Sequence, residues 1–478
     1  MTGATKTEYE LVAGIETHVQ LRTRTKLFCS CAIRFGAPPN TMVCPVCLGH
    51  PGSLPVLNRA AFELGLRAAL ALNCEIAPFT KFDRKNYFYP DLPKNYQITQ
   101  YDLPFSHDGW VEIETGKKIR ILRAHLEEDA GKLIHEEQGG RSTVDLNRTG
   151  VPLAEIVTHP DLRSADEAYQ YMIALRTILQ YAGASDCDME KGELRCDVNV
   201  SIRPKGAEKL GTKVEVKNLN SFKNAKAAME HEYARQVKAV EAGEPIRQET
   251  RLWDAEKGVT RVMRSKEEAH DYRYFPEPDL PPVKVDAAWI ARVRAAIPEM
   301  PAAKRARFAR EYGLGDYDAK VLSFDRAMAD FFESAAKLSG KPKPVANWLV
   351  NDLNKILNER KLEMAQVKAT PEGLVELISL VESGALTGAS AREVFLEMVD
   401  KGAAPSTVVK DRGLAKVSDS GAIEEAAKAA IAGNPKAAAD FKAGKEAALK
   451  SLIGGVMKAT KGRADPKLAE EVLRKLLS

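Results

Sequence analysis

Gly14 to Leu21 reads GIETHVQL, and its alternation decides what kind of fold the chain builds. In an extended strand, successive side chains point to opposite faces. Ile15, Thr17, Val19 and Leu21 then form one side, and Glu16, His18 and Gln20 share the other. A half-buried strand usually turns bland Lys, Thr or Glu outward. Here a carboxylate, an imidazole and an amide stand together, a set that can hold a divalent cation or move protons.

The pattern recurs outward from that stretch. In Arg195 to Arg203, RCDVNVSIR, the residues Arg195, Asp197, Asn199, Ser201 and Arg203 alternate with Cys196, Val198, Val200 and Ile202. KVEVKNLNS sets Glu215 and Lys217 against Val214 and Val216, and VDLNRTG sets Asp145 and Asn147 against Val144 and Leu146. Ile119 to Glu128, IRILRAHLEE, runs into the acidic HLEEDAGK with His125, Glu127, Glu128 and Asp129. Period-2 runs with one apolar side predict antiparallel strands packed on a core. One such strand alone reads better as an ordinary solvated face. Several that mix acids, Arg, Asn and His predict a shared active-site floor. Glu127 and Glu128 are neighbours and cannot share a face in a regular strand, so at least one is structural or solvated unless a bulge re-aims it.

At 478 residues the chain exceeds what one core holds, and two to four domains are expected, at roughly 100–200 residues each. Its 44% hydrophobic and 28% charged residues are those of a soluble globular protein. No apolar run reaches the roughly 18 residues of a membrane span, and MTGATKTEYE lacks the features of a signal or transit peptide. These predict a cytoplasmic protein with no membrane partner. A net charge of +4 is too small to imply nucleic-acid binding; its distribution matters more.

Seven cysteines, an odd number, also fit a reducing compartment. Cys29 and Cys31 form CxC, and Cys44 and Cys47 form CPVC, around the Pro-rich GAPPN. Two close pairs joined by a short loop predict a structural tetrathiolate zinc site; four unrelated reduced thiols are the competing reading. Cys74, Cys187 and Cys196 read as buried small hydrophobes.

Leu57 to Leu72 predicts an amphipathic helix with Asn58 as N-cap. SADE, from Ser164, opens a second helix with a capping box, and a third runs from about Ser221 to Ala242. Lys81 to Tyr101, KFDRKNYFYPDLPKNYQITQY, interleaves Phe82, Tyr87, Phe88, Tyr89 and Tyr96 with Lys81, Arg84, Lys85 and Lys94. It admits two readings: a loop that stacks a base and holds phosphates, or an aromatic-anchored loop packed over the sheet. Asp271 to Pro282, DYRYFPEPDLPP, echoes it, as a second clamp or an internal duplication. From about Asp286 the pattern turns helical. The segment Ser406 to Ser478 carries fourteen Lys and Arg against nine Asp and Glu. Within it, GGVMKATKGRADPKL presents Lys458, Lys461, Arg463 and Lys467 around glycines. A phosphate-contacting turn and a merely well-solvated helical tail both fit.

No GxxxxGK[ST], GxGxxG or GxSxG motif is present, so a nucleotide would not sit in a P-loop or Rossmann turn. A carboxylate–histidine floor can instead bind Mg²⁺ and position a triphosphate against a carboxylate acceptor, since phosphoryl transfer is mostly positioning and charge neutralisation.

Taken together, GIETHVQL, KFDRKNYFYPDLPKNYQITQYD, HLEEDAGK, DLNRTGVPLAEIV, LRCDVNVSIRP, EVKNLNSF and DYRYFPEPDLPP closely resemble the B subunits of the tRNA-dependent glutamyl/aspartyl amidotransferases. NWLVNDLN (Asn347 to Asn354) and the tail motif extend the likeness to the end. The resemblance implies an α+β protein: an antiparallel-sheet, cradle-like catalytic domain over residues 1–290 with a zinc-stapled loop at 29–47, an all-α helical domain over 291–402, and a small basic α-helical tail domain over 403–478 that contacts tRNA. It implies ATP- and Mg²⁺-dependent phosphorylation of the side-chain carboxylate of misacylated Glu-tRNA(Gln) or Asp-tRNA(Asn), then amidation by ammonia. That ammonia would come from a glutaminase A subunit, braced by a C subunit, with the misacylating aminoacyl-tRNA synthetase a further candidate partner. Carried over by position, Glu16 and His18 belong to the Mg²⁺ strand. Glu127 and Glu128 complete the site, Glu128 as the preferred direct ligand. Asp197 and Glu215 serve metal or the ammonia path, Arg84 and Lys85 the triphosphate, and Lys458, Lys461, Arg463 and Lys467 the tRNA. The cysteine quartet occurs in only some members, so zinc rests on this chain's own spacing.

Overall fold

The structure, a computed structural model, describes residues 7–135, 140–265, 269–415, 420–460 and 462–477. The chain divides into two compact units, Met1–Met300 and Pro301–Ser478.

The first unit is built on a nine-stranded sheet. From one edge to the other its strands run Val259–Ser265, Glu249–Asp254, Val214–Lys217, Leu194–Pro204, Tyr9–Gln20, Pro152–Thr158, Lys118–Glu128, Ser106–Glu112 and Glu75–Ile76. All neighbouring pairs are antiparallel except Val214–Lys217 with Glu249–Asp254. The strand carrying GIETHVQL is central. Leu11, Ala13, Ile15 and Val19 on its apolar face join one core with Phe62, Leu66 and Leu70 of helix Arg59–Ala71 and Tyr171, Leu175 and Leu179 of helix Ala165–Tyr181. Ala225, Ala228 and Met229 of helix Phe222–Glu241 complete that cover. One face of the sheet is thus spent on the core, which leaves the alternate residues to form a floor.

The helix starts follow their sequence signals. Asn58 Oδ1 accepts from the amides of Ala60 and Ala61, at 3.0 and 3.3 Å. Ser164 Oγ accepts from the Glu167 amide at 3.1 Å. The Glu167 carboxylate takes the amide of Arg163 rather than that of Ser164, so the capping box closes one residue early. The two aromatic loops meet as well: strand Asp83–Asn86 pairs with both Tyr96–Thr99 and Phe275–Pro276 in a three-stranded sheet.

The second unit is helical. Proline opens helix after helix, at Pro301, Pro342, Pro371, Pro405, Pro435 and Pro466, because its fixed φ suits the first turn and no amide is lost there. Two separate apolar cores form. One gathers Phe308, Phe332, Leu349, Leu374 and Phe395; the other gathers Ile423, Leu452, Val456 and Leu473. Within NWLVNDLN, Trp348–Leu353 winds as a π-helical turn. Among the described residues, no helix is long and apolar enough to cross a membrane.

Candidate active site on the sheet floor

Strand register assembles the floor in rows. Arg195, His18, Glu155 and His125 lie side by side across four strands. On one side of them run Asp197, Glu16, Val157 and Arg123; on the other run Gln20, Leu153 and Glu127. His18 is the hub. Its Nε2 lies 3.5 Å from Glu127 Oε1, 3.5 Å from Glu155 Oε2 and 3.7 Å from Glu16 Oε1. His125 Nε2 lies 3.6 Å from Glu155 and 3.9 Å from Glu127.

Three carboxylates this close repel one another, and their protonation shows it. Burial and then the Glu155 charge push Glu127 up to about 7 and raise Glu16 from its ordinary value. Glu155 goes the other way: burial opposes its charge, but His125 and His18 hold it well below the carboxylate range. On His18, burial disfavours the cation, yet Glu155, Glu127 and Glu16 outweigh it and raise the imidazole to about 9. His125 drops to about 4, chiefly through burial, and its Nδ1 is buried without a hydrogen-bond partner among the described residues. Crowded carboxylates and imidazoles of this kind invite a divalent cation.

Among the described residues the floor holds two overlapping ligand sets: Glu16, His18 and Glu155, and His125, Glu127 and Glu155, each with its donor atoms within 4.8 Å of one another. Oxygen donors with one imidazole at a partly open surface fit Mg²⁺, which keeps several waters and needs few protein ligands.

Cations ring this acidic centre. Arg123 Nη2 is 3.6 Å from Glu155. Arg195 donates through Nη2 to both Asp129 oxygens at 2.9 Å, and Asp129 also accepts from Gln20 Nε2 at 3.0 Å. The Nε atoms of Arg123 and Arg195 are buried without hydrogen-bond partners among the described residues. Lys85 stands over the Tyr272 ring at 4.8 Å. Burial opposes its charge, but Glu127 and Glu155 hold it firmly protonated. Behind it, Tyr274 stacks on Tyr101 with ring centroids 3.9 Å apart.

Several expected residues fall elsewhere. Glu128, the preferred metal ligand on sequence grounds, points to the opposite face from Glu127, as period two demands. It pairs with Lys94, accepts from the Ile98 amide at 2.9 Å and lines a cavity of about 80 Å³ with Cys47, Tyr96 and Gly150. Glu155 takes the place expected of it. Arg84 likewise faces away from Lys85. Its guanidinium grips Glu277 through Nε and Nη2 at 2.7 and 2.8 Å and reaches Asp279 at 3.2 Å. It therefore ties the two aromatic loops together and is not free to take a triphosphate. Asp197 does sit beside Glu16 but pairs with Lys217. Glu215 is one strand further out, with Lys217 at 3.3 Å and Thr250 Oγ1 at 2.8 Å.

Sequence reasoning passed over Glu155 and Arg123; Arg195 and Lys217 it placed on the polar strand faces without giving them a role. Glu155 had a signal: Leu153, Glu155 and Val157 alternate with Ala154 and Ile156, a lone carboxylate in an apolar run.

The four cysteine sulfurs of Cys29, Cys31, Cys44 and Cys47 lie within 4.8 Å of one another, the donor set of a closed zinc site. The Cys29 thiol's hydrogen bond draws Cys47 down to about 4, whereas burial pushes Cys31 up to about 11. The GAPPN insert is pinned by Asn40 and Asn147: the Leu146 amide donates to Asn40 Oδ1 at 2.8 Å, and the Met42 amide donates to Asn147 Oδ1 at 2.8 Å. Cys74, Cys187 and Cys196 are buried, as expected.

In the tail, Lys458 and Lys467 are exposed, and Lys461 lies outside the described residues. Arg463 is occupied, donating to the carbonyls of Gly413 at 2.8 Å and Thr460 at 3.1 Å. The paired glycines flank no turn. They lie inside helix Ala447–Ala459, where a Cβ on Gly455 would come 2.9 Å from that of Ala430.

Residues 11–291 match the family model of the GatB/GatE catalytic domain, and residues 330–477 match that of the GatB domain. The B subunit of the aspartyl/glutamyl-tRNA(Asn/Gln) amidotransferase of Carboxydothermus hydrogenoformans is 53% identical, over 98% of this chain and 99% of its own. The protein of the same name from Thermoanaerobacter pseudethanolicus is 52% identical over 98% and 100%, and that from Brevibacillus brevis 52% over 98% and 99%.

Proposed function

This chain belongs to the GatB/GatE family, and from that premise we propose that it is the B subunit of a glutamine-dependent carbon–nitrogen ligase that amidates Glu-tRNA(Gln), Asp-tRNA(Asn) or both. The observation that carries the reading is the floor itself, where five clustered acids and imidazoles are ringed by Lys85, Arg123, Arg195 and Lys217. In the proposed chemistry an oxygen of the misacylated side-chain carboxylate attacks the γ-phosphorus of ATP, releasing ADP. Ammonia then attacks the acyl phosphate carbon, and phosphate leaves as the amide forms.

Glu16, His18 and Glu155 would hold Mg²⁺, with Glu127 and His125 beside them; bound there, the ion would offset phosphate charge. Lys85, Arg123 and Arg195 supply fixed positive charge for the triphosphate and the acceptor, and their positions cost no reorganisation during reaction. Asp129 orients Arg195, and Asp197 and Glu215 orient Lys217. Arg84 and Glu128 support the site from behind.

The cysteine quartet is proposed as a structural zinc staple. Residues 403–478 are proposed as the tRNA-contacting tail domain, following the helical domain of 291–402 and the catalytic domain of 1–290. Ammonia is proposed to come from a glutaminase A subunit with a C subunit, in the cytoplasm.

The test is ATP hydrolysis by this chain with its A and C partners, with and without misacylated tRNA. Stimulation by Glu-tRNA(Gln) or Asp-tRNA(Asn), with amidated product when glutamine is present, supports the reading and identifies the substrate. Tight tRNA binding without stimulated hydrolysis overturns it in favour of a scaffold, and stimulation indifferent to tRNA in favour of a small-molecule amide ligase.

A further inference from the structure

Lys26 is a lysine with no solvent exposure at all. Among the described residues, no carboxylate lies within salt-bridge reach of its ammonium; the acceptor beside Nζ is Cys47 Sγ, at 3.6 Å. Its neighbours fix it there. The Lys26 amide donates to the Cys31 carbonyl at 3.1 Å, and its own carbonyl accepts from Asn58 Nδ2 at 3.1 Å. Gly150 closes over the stem: a Cβ there would lie 3.5 Å from Lys26 Cδ, 3.6 Å from Cys47 Cβ and 3.8 Å from Glu128 Oε2, the nearby carboxylate that pairs with Lys94 instead.

A buried ammonium without an anion is among the costliest arrangements a fold can contain. A single thiolate at Cys47 supplies one negative charge beside Nζ. Four thiolates around a divalent ion supply more, since the cluster keeps a net double negative charge.

We propose that Lys26 is the internal counter-ion of a metal–tetrathiolate cluster, a positioning residue that balances the cluster's charge and sets how tightly the metal is held. This rests on the zinc reading of Cys29, Cys31, Cys44 and Cys47. It adds a requirement that the cysteine spacing does not contain: a fifth residue, supplied from three positions before the first cysteine, whose charge and not its bulk matters.

The test uses the full-length chain and two readouts, zinc content per chain and the rate of zinc transfer to a chromogenic chelator. Wild type is expected to hold about one zinc. Lys26→Met keeps the apolar stem and removes the charge; it should lower zinc affinity by about 10- to 100-fold, the range for residues that support metal ligands. Lys26→Arg keeps the charge and should stay within a few-fold of wild type. Unchanged zinc retention in Lys26→Met overturns the proposal, as does loss of zinc from Lys26→Arg equal to that from Lys26→Met. If Lys26→Met does not fold, Lys26→Gln takes its place, and if neither neutral variant folds the Arg variant alone decides. Wild type that takes up no zinc on refolding with the metal, with all four thiols freely reactive, sinks the zinc reading itself, a result distinguishable from failure of Lys26 alone.

Discussion

Glu155 touches both histidines of the floor, so its charge governs the others. Glu155→Gln preserves shape and removes the anion that raises Glu16 and Glu127 and anchors Arg123. Amidation should fall by about 100-fold or more, the scale on which metal-supporting and electrostatic groups act. Denaturant midpoints should fall near neutrality, because His125 and His18 hold Glu155 below its ordinary range and a carboxylate so depressed stabilises the fold while ionised. Glu128→Gln should do something different. It leaves Lys94, 7% exposed, buried without its anion, and should cost about 3 kcal/mol of stability. Urea titrations with amidation assays of the two variants check both claims, and an amidation loss in folded Glu128→Gln equal to that in Glu155→Gln would contradict the assignment. The same pair shows what a sequence can say about single residues. Alternation forces Glu127 and Glu128 apart but does not say which faces His18, because that parity depends on the register with Pro152–Thr158. Glu155 contributes one acid to an apolar run and becomes significant only when strand pairing sets it between His18 and His125.

Elements were more legible than residues, because caps and periods are local. Asn58, Ser164 and Ser221 each accept the helix amides their positions predict. Asn58→Ala should cost about 1–2 kcal/mol, toward the upper end because Asn58 Nδ2 also serves the Thr25 and Lys26 carbonyls; a loss under about 0.5 kcal/mol in chemical denaturation would mean that the cap is dispensable. Tertiary ties between elements left no local trace. Arg84 reads as a phosphate ligand until Glu277, far along the chain, is seen to hold it. Another such tie joins helix Pro301–Tyr312 to helix Arg326–Ser339. There Arg307 grips Glu333 at 2.9 and 3.0 Å, with Lys304 at 3.4 Å. Arg307's hydrogen bonds, against the opposing effect of burial, lower Glu333 from 4.5 to about 2. A depressed carboxylate stabilises the fold above its unfolded value and loses that contribution as pH falls toward its folded one. Glu333→Gln should therefore be less stable by about 1 kcal/mol near neutrality, after discount for solvent screening. That difference should vanish as pH falls from 4.5 toward 2. Thermal melts of both proteins across this range decide it, and a pH-independent gap would mean that the ion pair contributes nothing.

At the scale of the whole molecule, charge is distributed by segment. The chain carries a net +4, and Ser406 to Ser478 supplies fourteen cations against nine anions, so the remainder is close to neutral. That asymmetry was legible without a structure; which cations are available was not. Arg463 spends its guanidinium on two carbonyls, whereas Lys458 and Lys467 stand exposed. Truncation at Ser406 would be a poor probe, because Val408 and Leu414 belong to the same core as Phe308 and Phe395. Deleting them would confuse unfolding with lost contact. The sharper experiment keeps the fold and removes charge: Lys458→Ala with Lys467→Ala, in the assembled enzyme. If the tail meets a tRNA backbone, each lysine that neutralises a phosphate releases counter-ions. The double variant should then bind tRNA several-fold more weakly and show a log Kd against log salt slope shallower by about 1 to 2. Arg463→Ala should instead lower stability while leaving the salt slope in place, since its contacts are internal. An unchanged slope in the double lysine variant would mean that the tail's charge only keeps a helical segment solvated, and tRNA binding would have to be sought on other surfaces.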